Sequence, residues 1–557
     1  MDFIVYFTVI FIALVIWYIV IQFNQKKILI KRLKSEWGRY PEADYTPEKM
    51  EEIKALYLFE KDNHLDVDDI TWHDLDMDEV FKQINNTQCS LGEEYLYALL
   101  RKPCFSQEEL EERNRLIEYF RSHENERIAI QAKLSNVGKL RSISAFKYTD
   151  RLSGQEPQSN LPHYLMIAVI LVSLTLIFIK PSIGVVLTIF AIAVNIYLYF
   201  KYKAKIENYL TIIAFQLRLL DSIEDILKIS MPELDMYFKG LSADLMTFKR
   251  YRRGSSIVVA RNATGNILEA IIDYYRIIFH HDIIKYNRMI SFFKKHKDVM
   301  IRIFKTVGFL DAMTAVASFR EMLDYYSIPK LTHAKDKPVL SVTDVYHPLI
   351  NEPVPNSINE DRCTLITGSN ASGKSTFIKA LGINAILSQT IYTSLSKEYR
   401  ANYFLIYSSM ALKDNILNNE SYFIVEIKSL KRILDNAGKD YPVLCFIDEV
   451  LRGTNTLERI AASSRILASL AANNTLCFAA TRDIELTYIL ENLYSNYHFR
   501  EKIEDNQVLF DYKLYKGRAV SRNAIKLLNL LGYSEDIITE AEKATDEYLK
   551  TGEWSII

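Results

Sequence analysis

The chain has 557 residues, 49% of them apolar and 25% charged, a globular composition whose length alone implies about three or four domains. A net charge of −1 excludes retention on nucleic acid by global basicity, so any such contact must come from a local patch. Five cysteines without CxxC spacing exclude a zinc site or a disulfide framework and predict reduced, intracellular thiols.

The first element is FIVYFTVIFIALVIWYIVIQF (3–23), an uncharged apolar run of spanning length. Asp2 precedes it, KKILIKRLK follows it, and no small-residue cleavage site is present, which reads as an anchor rather than a cleaved signal. Residues 40–160 carry helical spacing. In LGEEYLYALLRKP (91–103), Leu91, Tyr95, Leu96, Leu99 and Leu100 share a helix face and Pro103 is a stop. The charged EELEERNRLIEYFRSHENERIAI stretch reads as an amphipathic helix with a solvated face.

Two further apolar runs follow, 164–179 and 182–200, separated only by Lys180 and Pro181, as a helical hairpin requires. Basic residues after the first and third runs predict a multi-pass cell-membrane protein with three spans, residues 24–162 and 201–557 lying in the cytoplasm. The competing reading is a buried core helix pair, disfavoured because neither run has a polar face. Residues 205–330 are again long-helical. Their basic cluster KRYRRG (249–254) reads as a solvated helix end or, less favourably, a phosphate contact. Near 335 the texture turns proline-punctuated, and beyond it short apolar runs alternate with helical stretches, the pattern of an α/β domain on a mostly parallel sheet.

The chemistry lies in this last part. In TLITGSNASGKST, Gly368, Gly373, Lys374 and Ser375 satisfy G-x-x-x-x-G-K-[ST] between a strand and a helix. The loop Gly368, Ser369, Asn370, Ala371, Ser372, Gly373, Lys374, Ser375 and Thr376 predicts a phosphate cradle of backbone N–H groups at a helix N-terminus. Lys374 would reach the β- and γ-phosphates of ATP, and Ser375 would hold Mg²⁺. In PVLCFIDEV, Asp448 leaves the end of a buried strand to orient the metal, and Glu449 beside it is placed to polarise the attacking water.

TGSNASGKST, SYFIVEIKSL (421–430), FIDEVLRGTNTLERIAAS (446–463) and LCFAATRDIEL (476–486) resemble, in this order, the ATPase domain of the MutS family, part of the wider ABC ATPase group. YHPLI (346–350) resembles the family's entry to that domain, and INNTQCSLGEEYLYALLRKP (84–103) the segment opening its helical core. The resemblance implies an α plus α/β protein. Its parts are an N-terminal transmembrane helix (1–25), a helical MutS-like core (26–160 and 201–335) interrupted by a transmembrane hairpin (161–200), and a P-loop ATPase domain (336–557). It further implies a homodimer in which Ser421 reaches the partner's γ-phosphate, so that each catalytic site combines Lys374, Glu449 and a Ser421 in trans. Asn370 matches a family position near the phosphates; Glu426 has no chemical role assignable from the pattern. Residues 523–549 resemble the family's closing helix-turn-helix, with Gly532 at the turn and leucines that favour packing over DNA reading.

This sequence departs from the family where Arg482 replaces the histidine after Thr481. Arginine carries a permanent charge and longer reach, so it can contact phosphate without acting as a neutral hydrogen-bonding group. Ala371 and Ser372 stand where mismatch-repair members often have methionine and glycine. The mismatch-reading domain is expected to be absent, residues 1–70 holding a span and a short acidic stretch, and the triplet Phe319-Arg320-Glu321 is a chance match to that domain's wedge. The expected function is ATP-driven clamping, with mismatched, branched or junction DNA as the family's default ligand. The alternative is a membrane-associated scaffold or mechanical ATPase that binds no DNA.

Overall fold

The computed structural model describes the chain except residues 1, 63, 157, 253–266, 335–336, 370, 411–421, 440, 505–506, 520–524, 526–527, 529–531 and 555–557. The chain divides into two units. The first comprises Met1–Lys61, Phe81–Leu99 and Glu112–Met322; the second comprises Asp62–Val80, Leu100–Glu111 and Leu323–Ile557.

The first unit is helical throughout its described secondary structure. Its hairpin pairs helix Leu161–Ile179 with helix Pro181–Ile226, turning on Lys180, where proline at the first helical position suits a helix start. Small and polar residues line the buried face of the second helix at Gly184, Thr188, Ala191 and Asn195. A Cβ at Gly184 would lie 2.4 Å from the Ile177 nitrogen, so the backbones meet where only glycine fits. The outer faces expose large apolar side chains, Phe178 at 89% and Phe190 at 67%. The second helix runs unbroken for 46 residues, and its last third, from Ile212 to Ile226, buries one face in the unit's core through residues such as Ile213, Leu217, Leu220 and Ile223.

Among the described residues, two helices, Leu161–Ile179 and Pro181–Ile226, are long and apolar enough to cross a membrane by length and composition. The expected third span falls within helix Asp2–Glu36, but most side chains of its apolar run lie outside the described residues. Two spans rather than three therefore have structural support. Of the basic cluster 249–254, residues 249–252 end helix Asp235–Arg252, and 253–254 lie outside the described residues.

The segment 84–94 acquires a structural explanation. Asp311 accepts hydrogen bonds from the backbone N–H of Gln88 and of Cys89, at 3.0 Å each, just ahead of helix Ser90–Arg101. The carboxylate thus occupies the place of an N-terminal cap. Gly92 lets it approach: a Cβ there would fall 2.2 Å from Asp311 Oδ2. Gly308, on the same helix as Asp311, passes so close to Leu91 that a Cβ would meet its carbonyl at 2.6 Å. Burial pushes the Asp311 carboxyl up to about 6 against these hydrogen bonds. On the same helix, Phe319 is buried and Arg320 is paired with Glu118, a structural setting for the Phe-Arg-Glu triplet.

The second unit carries two sheets. The smaller is mixed, in the order β1 (Lys330–Thr332), β5 (Glu398–Asn402), β2 (Leu340–Val345), β3 (Asn356–Glu360). The larger runs β10 (Gln507–Lys516), β9 (Tyr494–Glu504), β4 (Cys363–Thr367), β8 (Thr475–Ala480), β7 (Val443–Asp448), β6 (Leu405–Ser409). Only the β9–β10 pairing is antiparallel; the rest of this sheet is parallel, as predicted. Strands β4, β6 and β8 are buried at every position, which explains their continuous rather than alternating apolar runs.

Strand β6 ends this sheet, and N-terminal residues cover it. Thr71 Oγ1 accepts from the Ser408 N–H at 3.0 Å, and Asp74 accepts from Ser408 Oγ at 2.6 Å and the Met410 N–H at 3.0 Å. An otherwise open strand edge is thereby satisfied. At the C-terminal end, helix Glu535–Thr551 follows a turn in which Gly532 has φ +81°, while most of the preceding expected helix lies outside the described residues.

Candidate nucleotide site

The strand order sets the site. β8 lies between β4, which leads into the glycine loop, and β7, which ends in the acid pair. Parallel strands present their carboxyl ends on one side, so three loops converge there. The Thr481 N–H donates to the Ile366 carbonyl at 3.0 Å, and the Glu449 N–H to the Ala480 carbonyl at 2.9 Å. These bonds tie the three strand ends together.

The loop curls through backbone conformations that L side chains resist. Gly368 has φ +147°, Ala371 +60° and Gly373 +106°, and Gly373 caps helix Lys374–Thr390. At Gly368 a Cβ would sit 2.9 Å from the Phe499 carbonyl, so glycine is required by space as well as by dihedral. Lys374 folds back over the loop, its Nζ donating to the carbonyls of Gly368 at 2.8 Å and Ser369 at 2.7 Å. Burial lowers its pKa; Asp448 and Glu449 oppose the shift, while Arg482 and Arg452 add to it. Ser375 Oγ donates to Asp448 Oδ2 at 2.6 Å, joining the two expected metal-holding groups.

A cavity of about 620 Å³ opens over these groups. Of the expected site residues, Ala371, Ser372, Gly373, Lys374, Ser375, Thr376, Asp448, Glu449 and Arg482 line it. Gly368 and Ser369 lie beneath, holding Lys374, and Ser369 also bonds Glu501. Asn370 and Ser421 lie outside the described residues. Among the described residues the buried Ser372 hydroxyl has no hydrogen-bond partner, and a phosphate oxygen would satisfy it. That group, the cradle and the Ser375–Asp448 pair fit a Mg²⁺-bound nucleotide phosphate chain.

Several residues of the site were not singled out as site residues in the sequence. Phe499 and Tyr512 come from the β9–β10 hairpin, Tyr512 at φ +53°, and close the cavity beside Gly373. His347 lines another wall, and burial pushes its pKa down to about 4, leaving it neutral at pH 7. Arg452 lies three residues beyond Glu449 and pairs with it at 2.5 Å; the i, i+3 spacing was the available clue. Arg482 pairs with the other oxygen of Glu449, also at 2.5 Å.

Glu426 also acquires a role. It is 3% exposed, and its carboxylate accepts from the backbone N–H of Leu451 at 2.6 Å and of Arg452 at 3.1 Å. Glu449 and Leu451 both have left-handed backbone, at φ +58° and +59°. The buried carboxylate thus pins a strained turn whose first residue is the acid expected to handle water. Burial raises the Glu426 pKa, with the two amide bonds opposing.

The fold is an α/β domain whose glycine-rich loop joins β4 to helix Lys374–Thr390 beneath the cavity. Residues 364–549, about a third of the chain, match the family model for MutS domain V. Similar proteins include the DNA mismatch repair protein MutS of Thermotoga maritima, 27% identical over 267 residues, covering 46% of this chain and 33% of that protein. The human MutS protein homolog 4 is 28% identical over 292 residues, covering 49% and 30%. The mismatch repair protein MSH3 of Debaryomyces hansenii is 29% identical over 293 residues, covering 48% and 27%. The matched part thus spans about a third of the length of these relatives.

Proposed function

We propose that this chain binds ATP with Mg²⁺ and hydrolyses it at paired sites of a homodimer, using the cycle to drive a clamp-like movement of its helical unit at a membrane. The observation that carries the reading is the Ser375–Asp448 contact of 2.6 Å beneath the cradle, with Glu449 on the adjoining residue. In this reading Lys374 leaves the loop carbonyls for the β- and γ-phosphates. Ser375 and Asp448 hold Mg²⁺, which supplies charge neutralisation to the phosphates. Glu449 orients water in line with the γ-phosphate, and the loop N–H groups and Ser372 fix the chain of phosphates. Ser421 of a second chain completes the site.

The mismatch-repair relatives make mismatched or branched DNA the first ligand to test. The test uses full-length protein in nanodiscs, with ATP turnover measured alone and with homoduplex, mismatched and four-way-junction DNA. Turnover that Glu449→Gln abolishes supports the ATPase reading, and ATP-dependent dimerisation of that variant supports the composite site. Stimulation by one DNA form, with salt-sensitive binding, supports the DNA clamp. Turnover indifferent to every DNA form rejects it.

A second reading, an ATP-driven membrane scaffold that binds no DNA, is favoured by one feature. Helix Pro181–Ile226 joins the apolar hairpin to the buried core of the helical unit without a break. Forty-six helical residues span about 70 Å at 1.5 Å per residue, so a movement of the core end is passed stiffly to the hairpin. Release from membranes on deleting the hairpin supports its anchoring role, and full retention in a variant lacking both it and residues 1–24 rejects it.

A further inference from the structure

Both oxygens of Glu449 are occupied by arginines of the same chain: Oε1 by Arg482 Nε and Oε2 by Arg452 Nε, each at 2.5 Å. Each oxygen thus already accepts a charged partner with which an attacking water would compete. Both arginines line the cavity with Lys374, so three cations there face the carboxylates Asp448, Glu449 and Glu352.

The two arginines are not equivalent. Arg452 leaves the strained turn, and its backbone N–H is fastened to buried Glu426. Arg482 leaves the end of β8, between the loop strand and the acid strand, and its side chain is 53% exposed while that of Glu449 is 15% exposed. The carboxylate is therefore the fixed partner, and the Arg482 side chain the one free to swing. A half-exposed ion pair is weak, whereas a guanidinium on a phosphate forms shorter, charge-assisted and often bidentate bonds. A terminal phosphate held by Lys374 and Ser375 would lie within the same cavity.

We propose that Arg482 is an exchange residue that reads the γ-phosphate. Without a triphosphate it blocks Glu449 Oε1; a nucleoside triphosphate draws it onto the γ-phosphate and frees that oxygen for the attacking water. A diphosphate, lacking the γ-phosphate, leaves the block in place. The site would thereby report triphosphate against diphosphate through one side chain, with the water-orienting acid as the output. This rests on the cavity being the nucleotide site.

The test is a double-mutant cycle on binding, with full-length protein in nanodiscs and Mg²⁺, using the β,γ-imido analogue of ATP and ADP as probes. Glu449→Gln removes the charge that holds Arg482. It is expected to tighten the imido analogue about tenfold, equivalent to about 1.4 kcal/mol, and to change ADP affinity by less than about twofold. In an Arg482→Gln background the tenfold gain should vanish, and in Arg482→Lys it should return in part. A gain of equal size with and without Arg482, or an equal gain for ADP, overturns the exchange. If the unaltered chain binds neither nucleotide, the nucleotide-site reading falls with it. If the unaltered chain binds and hydrolyses ATP yet shows no gain, the exchange alone falls.

Discussion

Replacing Glu426 by alanine tests whether the turn carrying Glu449 is held from behind. The substitution removes the acceptor for two backbone N–H groups, those of Leu451 and Arg452. A buried donor left without a partner costs about 1–3 kcal/mol, so the pair amounts to about 2–6 kcal/mol, less whatever water recovers. The strained residues Glu449 and Leu451 would relax once unpinned, since left-handed backbone outside glycine costs roughly 1–2 kcal/mol per residue. Relaxation moves the Glu449 carboxylate but leaves the loop and the Ser375–Asp448 pair in place. The expected result in steady-state ATP turnover is therefore a fall in kcat of about 10- to 100-fold with KM changed by less than about threefold. The melting temperature should also drop. Glu426→Gln keeps one acceptor oxygen and should fall between alanine and the unaltered chain in both measurements. A Glu426→Ala protein with lowered stability and unchanged kcat would refute the positioning argument, leaving Glu426 as a structural residue only.

Two further predictions concern the helical unit. Gly92→Ala drives a Cβ to within 2.2 Å of Asp311 Oδ2 between closely packed helices, and should cost at least about 1–3 kcal/mol in chemical denaturation. Alanine at the exposed Gly240, which meets no neighbour, should be neutral or stabilising in the same assay. Glu94 is buried, accepting from Ser144 Oγ at 2.6 Å and the Ala145 N–H at 2.8 Å, and burial raises its pKa from 4.5 to about 8. Between those values the folded chain keeps a proton that the unfolded chain has lost. Stability should therefore fall as pH rises through that window, by about 1.4 kcal/mol per pH unit at most, and level off above it. Glu94→Gln should flatten the decline in melting temperature between pH 6 and 8; an unchanged slope would rule out Glu94 as its source.

What the sequence made legible followed from how local each signal is. The loop 368–376 and Asp448–Glu449 are contiguous, with spacing imposed by phosphate geometry, and the converging strands are continuous apolar runs because both faces are covered. Arg482 was readable as a departure, but its partner was not, because pairing with Glu449 depends on β8 lying next to β7. Strands β2 and β3 of the smaller sheet were hidden in the proline-punctuated stretch after 335, where they alternate burial without a strong apolar signal. The cover on β6 was less legible still. Thr71 and Asp74 stand more than 330 residues from Ser408, and nothing in either segment announces the other. The 84–94 segment was recognisable by resemblance, whereas the reason for Gly92 is a carboxylate arriving from residue 311.

The same placement bears on how nucleotide chemistry would be transmitted. The second unit is not a C-terminal module on a single linker, because residues 62–80 and 100–111 belong to it along with 323–557, while 1–61, 81–99 and 112–322 belong to the helical unit. The chain passes between the units at 61/62, 80/81, 99/100, 111/112 and 322/323. One of those inserted segments carries Thr71 and Asp74, which hold the end of β6, the strand paired in parallel with the acid strand β7. A displacement of β7 and its turn would therefore pull on β6, and through Thr71 and Asp74 on chain within ten residues of the crossings at 61/62 and 80/81. Severing that link without touching the cavity separates transmission from chemistry. Asp74→Ala removes the acceptor for Ser408 Oγ and the Met410 N–H, and should leave the ATP analogue's affinity within about twofold. The spread between two spin labels on the helical unit should cease to respond to that analogue. A label response preserved in Asp74→Ala would mean that the signal leaves the second unit by another crossing.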